Sequence, residues 1–223
     1  MDPKEEALRR EIITSCREMN ACGINQGTSG NISVRLGKRM LITPSGVPYD
    51  ALEPAMIAAM ALDDPTGTCE GPLQPSTEWR FHRQLLAARP DAAAVVHAHP
   101  TWCTALAITR REIPACHYMI AAFGGDSVRC AGYARFGSPE LADLAVAAMT
   151  DRTACLLANH GMITIGDTLA RAMWRAVELE ALARQYCAAL SIGSPVILDR
   201  AAIDETLAAF AHYGPQDPTS AEG

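Results

Sequence analysis

His97 and His99 lie in AAAVVHAHP, a run of small and β-branched apolar residues that reads as a buried strand. Side chains two apart on a strand share a face, so the two imidazoles project side by side, about 6–7 Å apart along the chain. Such a pair can chelate zinc through neutral ring nitrogens. Two buried histidines bonded to backbone would leave the same trace, so the rest of the chain must decide. His160 supplies a third nitrogen: it ends an apolar strand, and Gly161 lets the backbone turn sharply beside it. Three histidines leave a fourth position open, as catalytic metal sites require. Glu78, at the start of the helix before the His97 strand, can fill it or act as a base. It also suits a first-turn glutamate facing the helix dipole. His82, His117 and His212 read as structural, with His117 in reserve.

Three segments can hold an anion without lysine. They are Gly27-Thr28-Ser29-Gly30-Asn31, Ser45-Gly46, and Ser76-Thr77 at a helix start. Backbone N–H groups, small hydroxyls and a helix dipole together suit a phosphate. No G-x-G-x-x-G follows a strand and no Walker motif is present, so these glycines do not mark a nucleotide site. Of the 19 basic residues only Lys4 and Lys38 are lysines, and both lie in polar surroundings. That argues against Schiff-base and pyridoxal phosphate chemistry, which need a lysine of lowered pKa.

The elements that must position these groups alternate along the chain. An amphipathic helix is predicted over 5–22, with Gly23 as its stop, then the polar turn INQGTSGN. Strands at 32–35 and 39–43 read as a hairpin, followed by the tight turn TPSGVPYD. Residues 56–62 suit either helix or strand. A helix is expected from Ser76 to about Ala88, capped by a hydroxyl residue with Glu78 in its first turn. The histidine strand covers 93–98, and a short helix runs from Pro100 to Ile108. Residues 110–137 read as irregular, with a turn at Gly124-Gly125. Ser138 caps a helix to Met149, and ACLLANHGMITIG reads as two strands broken at Asn159-His160-Gly161. Helices are expected over 168–190 and 200–212. The pattern is that of a single α/β or α+β domain over 1–213, and the polar tail 214–223 is expected to be disordered.

With 223 residues, the chain can bury a sizeable core. Its formal charge of −6 and pI near 5.5 argue against nucleic acid and anionic membrane partners. No apolar signal segment or membrane-length stretch is seen, and none of the eight cysteines forms a C-x-x-C. The expectation is a cytoplasmic protein with reduced, core-filling thiols.

GTSGNISVR, LITPSGVPYD, PSTEWRFHRQLLAARPDAAAVVHAHP, IPACHYMIAAFGG and LLANHGMITIG, in this order, resemble the class II aldolase/adducin family over about residues 5–213. The resemblance implies a central mixed, largely antiparallel sheet flanked by helices. It implies Zn2+ held by His97, His99 and His160, with Glu78 as fourth ligand and catalytic acid/base. It further implies a phosphate cradle from Thr28, Asn31, Ser45, Gly46, Ser76 and Thr77. Tyr118 and Tyr213 are implied near the aldehyde end, reaching a neighbour's site within a homotetramer. The implied activity is reversible cleavage of a ketose 1-phosphate, such as L-fuculose 1-phosphate, to dihydroxyacetone phosphate and an aldehyde such as lactaldehyde. Thr77 and Ser45 stand where the family typically has Ser and Thr, which keeps both hydroxyls. The Pro-rich tail departs further, so the aldehyde end is less specified than the phosphate end. Sugar-phosphate 4-epimerases, metal-dependent decarboxylases and adducin-like interaction modules share the fold. The match around PSTEWRFH and HYMIAA favours the aldolase, and an interaction module would be expected to lack the metal ligands.

Overall fold

Helix caps and turns divide the chain much as the sequence pattern predicts. A computed structural model of the protein describes residues 2–210; Tyr213, His212 and the tail 214–223 lie outside them. In chain order the elements are α1 (Pro3–Ala21), β1 (Asn31–Leu36), β2 (Arg39–Ile42), β3 (Ala58–Ala61), β4 (Cys69–Glu70), α2 (Trp79–Ala88), β5 (Ala94–Ala98), α3 (Thr101–Ile108), β6 (Ile113–Pro114), β7 (Ser127–Val128), β8 (Cys130–Ala131), α4 (Pro139–Ala148), β9 (Ala154–Leu157), β10 (Gly161–Gly166), α5 (Leu169–Ile192) and α6 (Arg200–Phe210). Several starts follow from their caps. Asp2, Ser138 and Thr168 each accept a backbone N–H of the first turn of α1, α4 and α5, and Pro stands at the start of α1 and α4.

Eight strands form one sheet in the order β4-β3-β2-β1-β5-β10-β9-β8. Every pairing is antiparallel except β8 with β9, so the sheet is mixed and largely antiparallel, as expected. Residues 56–62 resolve to β3, preceded by a 3-10 turn over Pro54–Met56. The expected irregular stretch 110–137 holds more structure than its sequence suggests. It contains a 3-10 helix over Tyr118–Phe123, the β6–β7 pair and the edge strand β8.

Helices cover both faces. On one, α1, α3, α5 and α6 pack Ile12, Met19, Leu106, Met173, Leu179 and Ile203 against Ile32, Val96 and Met162. On the other, α2 and α4 pack Phe81, Leu85, Leu86, Leu141 and Ala145 against Met40, Val95, Ile163 and Ile165. Strand β5 is buried along its whole length, which explains its unbroken apolar run. Its alternation sends Val96 to the first layer, and Val95 and His97 to the second, where α2 lies. Phe81 meets the His97 ring edge-on, with centroids 5.3 Å apart. Truncating so large a buried ring typically costs about 3–5 kcal/mol.

Candidate functional site

The three expected histidines converge. His97 Nε2 is 2.9 Å from His99 Nε2, and the ring nitrogens of His97, His99 and His160 lie within 4.8 Å of one another. His97 is fully buried on β5, and its Nδ1–H donates to the carbonyl of Met162 on the neighbouring β10 at 2.9 Å. That bond fixes the tautomer and leaves the Nε2 lone pair facing the cluster. His160 arrives on the three-residue connection between β9 and β10. Asn159 adopts a left-handed conformation there, with φ of 55°, and Leu157 pairs with Gly161 directly after the turn. Gly161 is required by close approach. A Cβ there would stand 2.5 Å from the Ala98 carbonyl oxygen and 2.5 Å from His99 Cδ2.

Glu78 differs from the expectation of a first-turn residue beneath a hydroxyl cap. It occupies the N-cap position of α2 itself, and neither Ser76 nor Thr77 caps the helix. Its side chain makes no capping bond and turns into the histidine cluster instead. Oε2 lies 3.2 Å from His97 Nε2, and Oε1 lies 3.3 Å from His160 Nε2. The Ser76 hydroxyl accepts the Glu78 backbone N–H and so shapes the turn. A buried, uncompensated carboxylate costs several kcal/mol, so its partners decide its charge. Burial pushes the Glu78 carboxyl up, but His97, His160 and the Asn31 amide outweigh it and hold the group well below the usual carboxylate range. Burial, reinforced by neighbouring imidazoles, pushes His99 down to about 3 and His160 down to about 4. Both rings are therefore neutral near pH 7.

A divalent metal fits this donor set. Three imidazole nitrogens lie within 4.8 Å of one another with the Glu78 carboxylate 3.2 Å from His97 Nε2 and 3.3 Å from His160 Nε2, and Glu78 Oε1 is buried without accepting a hydrogen bond.

A cavity of about 490 Å³ opens beside the cluster. Thr28, Asn31, Ser45, Gly46, Ser76 and Thr77 all line it, together with Glu78, His99 and His160. The two hydroxyl-bearing loops are zipped together: Pro44 bridges Pro75, Ser45 N donates to Gln74 O, and Ser76 N donates to Thr43 O. Gly30 lets the third loop press against β5, since a Cβ there would sit 2.9 Å from the His97 carbonyl oxygen.

Tyr118 does not line its own chain's cavity; it is half exposed and stacks between His117 and Phe210. Tyr213 lies outside the described residues. Tyr133 and Phe136, both more than half exposed, line the cavity and were not foreseen, because they fall in a stretch without periodicity. His82, read as structural, is fully buried next to the cluster. Burial pushes it down to about 3, so its ring too is neutral. No helix among the described residues is long and apolar enough to cross a membrane.

Residues 10–187 match the class II aldolase and adducin N-terminal domain family. The chain belongs to this family, and its enzymatic class is that of the metal-dependent class II aldolases. A 5-methylthioribulose-1-phosphate/5-deoxyribulose-1-phosphate aldolase of Rhodospirillum rubrum is 48% identical over 208 residues, which cover 93% of each protein. An L-fuculose phosphate aldolase of Escherichia coli K12 is 47% identical over 208 residues, 93% of this chain and 95% of its own. A solved L-fuculose 1-phosphate aldolase has a TM-score of 0.87 and 37% identity, covering 91% of this chain and 95% of its own.

Proposed function

We propose that this aldolase uses zinc to cleave a ketose 1-phosphate reversibly to dihydroxyacetone phosphate and an aldehyde. The ketose is L-fuculose 1-phosphate or a deoxy or methylthio relative of ribulose 1-phosphate, the substrates named for the relatives above. One observation carries the reading. The same cavity is lined by His99, His160 and Glu78 and by Thr28, Ser45, Gly46, Ser76 and Thr77. Candidate metal ligands and candidate phosphate donors therefore share one space.

His97, His99, His160 and Glu78 hold the metal. Bound there, it supplies Lewis-acid stabilisation of the negative charge that builds on the three-carbon fragment as the C3–C4 bond breaks. The protein's own groups do the rest. The cradle orients the phosphate through N–H and hydroxyl donors without a lysine. Glu78, ionised at neutral pH, takes the proton from the hydroxymethyl carbon of dihydroxyacetone phosphate in condensation; in cleavage it delivers to that carbon a proton taken up from solvent, matching the one the C4 hydroxyl loses. Tyr118 removes the C4 hydroxyl proton in cleavage. It is exposed and absent from its own cavity, so it serves a neighbouring copy's site, with Tyr213, in a homotetramer. The setting is cytoplasmic, in keeping with eight free cysteines.

The test is release of dihydroxyacetone phosphate from L-fuculose 1-phosphate, 5-deoxyribulose 1-phosphate and 5-methylthioribulose 1-phosphate, by zinc-loaded protein and by a chelated sample. Chelator-sensitive release from one of them is expected, and the relative rates name the substrate. No release from metal-loaded protein with any of the three would reject the reading.

A further inference from the structure

His82 follows Glu78 by one helical turn on α2, yet the two residues communicate through the sheet. Asn31 and Ser33 are two apart on β1 and share a face, and His82 lies against both. Ser33 Oγ is 2.8 Å from His82 Nδ1, His82 Nε2 is 2.5 Å from Asn31 Oδ1, and Asn31 Nδ2 donates to Glu78 Oε2 at 3.0 Å. All four residues are buried.

One arrangement of protons satisfies the whole chain. An ionised carboxylate only accepts, so Asn31 turns its NH2 to Glu78 and its carbonyl oxygen to His82. That oxygen carries no hydrogen, so His82 Nε2–H donates. Its Nδ1 then bears a lone pair, which the Ser33 hydroxyl fills as donor. The lock works in both directions. Flipping the Asn31 amide would set oxygen against the carboxylate and NH2 against N–H, two buried mismatches at once.

We propose that His82 is a positioning residue: with its ring anchored at Nδ1 by Ser33, it donates from Nε2 to fix the Asn31 amide and thereby aims the Glu78 carboxylate at the three-histidine cluster. The inference rests on Glu78 being a metal ligand and proton carrier, as proposed above. Because Asn31 also lines the cradle side of the cavity, the lock reaches the phosphate end as well.

Three variants test it, each checked for folding by circular dichroism and thermal melting. His82→Leu removes the donor to Asn31, His82→Gln keeps a terminal N–H2 for it, and Ser33→Ala removes the hydroxyl that anchors the ring at Nδ1. The readouts are zinc affinity by chelator competition, kcat and KM for ketose phosphate cleavage, and the His82 tautomer from long-range 1H–15N spectra. Outer partners of metal ligands typically matter by about 10–100-fold in affinity or rate. His82→Leu should lose that much in zinc affinity and in kcat, with His82→Gln recovering most of it. Ser33→Ala should leave His82 in the Nε2–H form, because the Asn31 carbonyl still requires that donor, and should cause a smaller loss in both as the ring is less firmly held. An Nδ1–H tautomer in the unmodified protein, a folded His82→Leu with unchanged zinc affinity, or equal losses in His82→Leu and His82→Gln would each overturn the proposal. If His82→Leu does not fold, the tautomer and Ser33→Ala decide. Zinc affinity and tautomer are read without substrate, so they judge this inference even if the unmodified protein cleaves none of the ketose phosphates.

Discussion

Asn31 stands directly opposite His97 across the β1–β5 ladder. Its amide reaches forward to Glu78 on α2, so one cross-strand pair ties the sheet to the helix that carries the carboxylate. The proposed ligands thus come from three segments distant in sequence: the α2 start, the β5 end and the β9–β10 turn.

That spread separates two kinds of loss. His99→Ala deletes a ligand outright and should lose bound zinc, with turnover falling by more than about 100-fold, the upper range for an outer partner alone. Glu78→Gln keeps three imidazoles and should retain more zinc than His99→Ala. It should still lose about 10²–10⁴ in kcat, the usual worth of a general acid–base group. Metal analysis alongside steady-state kinetics compares them; unchanged turnover in Glu78→Gln would remove its role.

Gly161→Ala forces a methyl group against the Ala98 carbonyl and the His99 ring. Overpacking of this kind costs about 1–3 kcal/mol. A melting temperature lower by about 2–10 °C is expected for a chain of this length, with weaker zinc binding because His99 must move. Calorimetry and chelator competition read both, and wild-type values in both would show that the turn has more room than its geometry allows.

Tyr118→Phe should fold normally, since the side chain is half exposed, and lose about 10²–10⁴ in kcat. Mixing provides the sharper test. Co-refolded Tyr118→Phe and His99→Ala subunits should regain activity that neither variant has alone, because a metal-competent cavity then receives an intact neighbouring tyrosine. No recovery from verified mixed oligomers would place the tyrosine's action elsewhere.

Acid should weaken the metal-free protein in a definite window. His160 is lowered to about 4, and His82 and His99 to about 3, from an ordinary 6.5. Below about 6.5 the unfolded chain takes up protons that the folded chain refuses, so stability falls as pH drops through that range. Denaturant unfolding between about pH 7.5 and about pH 5 stays above the carboxylate range and isolates the histidines. His82→Gln removes one depressed group and should show a shallower decline; an identical slope would contradict the assignment for His82.

The histidine cluster was legible because its signals are local. Period-two alternation puts His97 and His99 on one face, and a strand end followed by glycine presents His160. Glu78 was found at the right place for an incomplete reason: the pattern S-T-E suggests a capped first turn, whereas the observed cap position frees the carboxylate for the cluster. The hydrogen bonds of His82 could not be read from the sequence, because its partners, Ser33 and Asn31, are 49 and 51 positions away. Tyr133 and Phe136 were missed for want of any period. The short strands β4, β6, β7 and β8 have two residues each, too few to alternate, and exist through pairing with distant chain.

The bridge between Pro44 and Pro75 leaves the two ends of the cavity unequally free to evolve. A substitution in either hydroxyl loop is felt by the other and by the strands that carry them, so the proposed phosphate cradle is inherited almost as a unit. Tyr133 and Phe136 stand on irregular backbone with most of their surface outside the core. Substitutions at these two positions can therefore reshape the cavity wall without disturbing the histidine cluster or the joined loops.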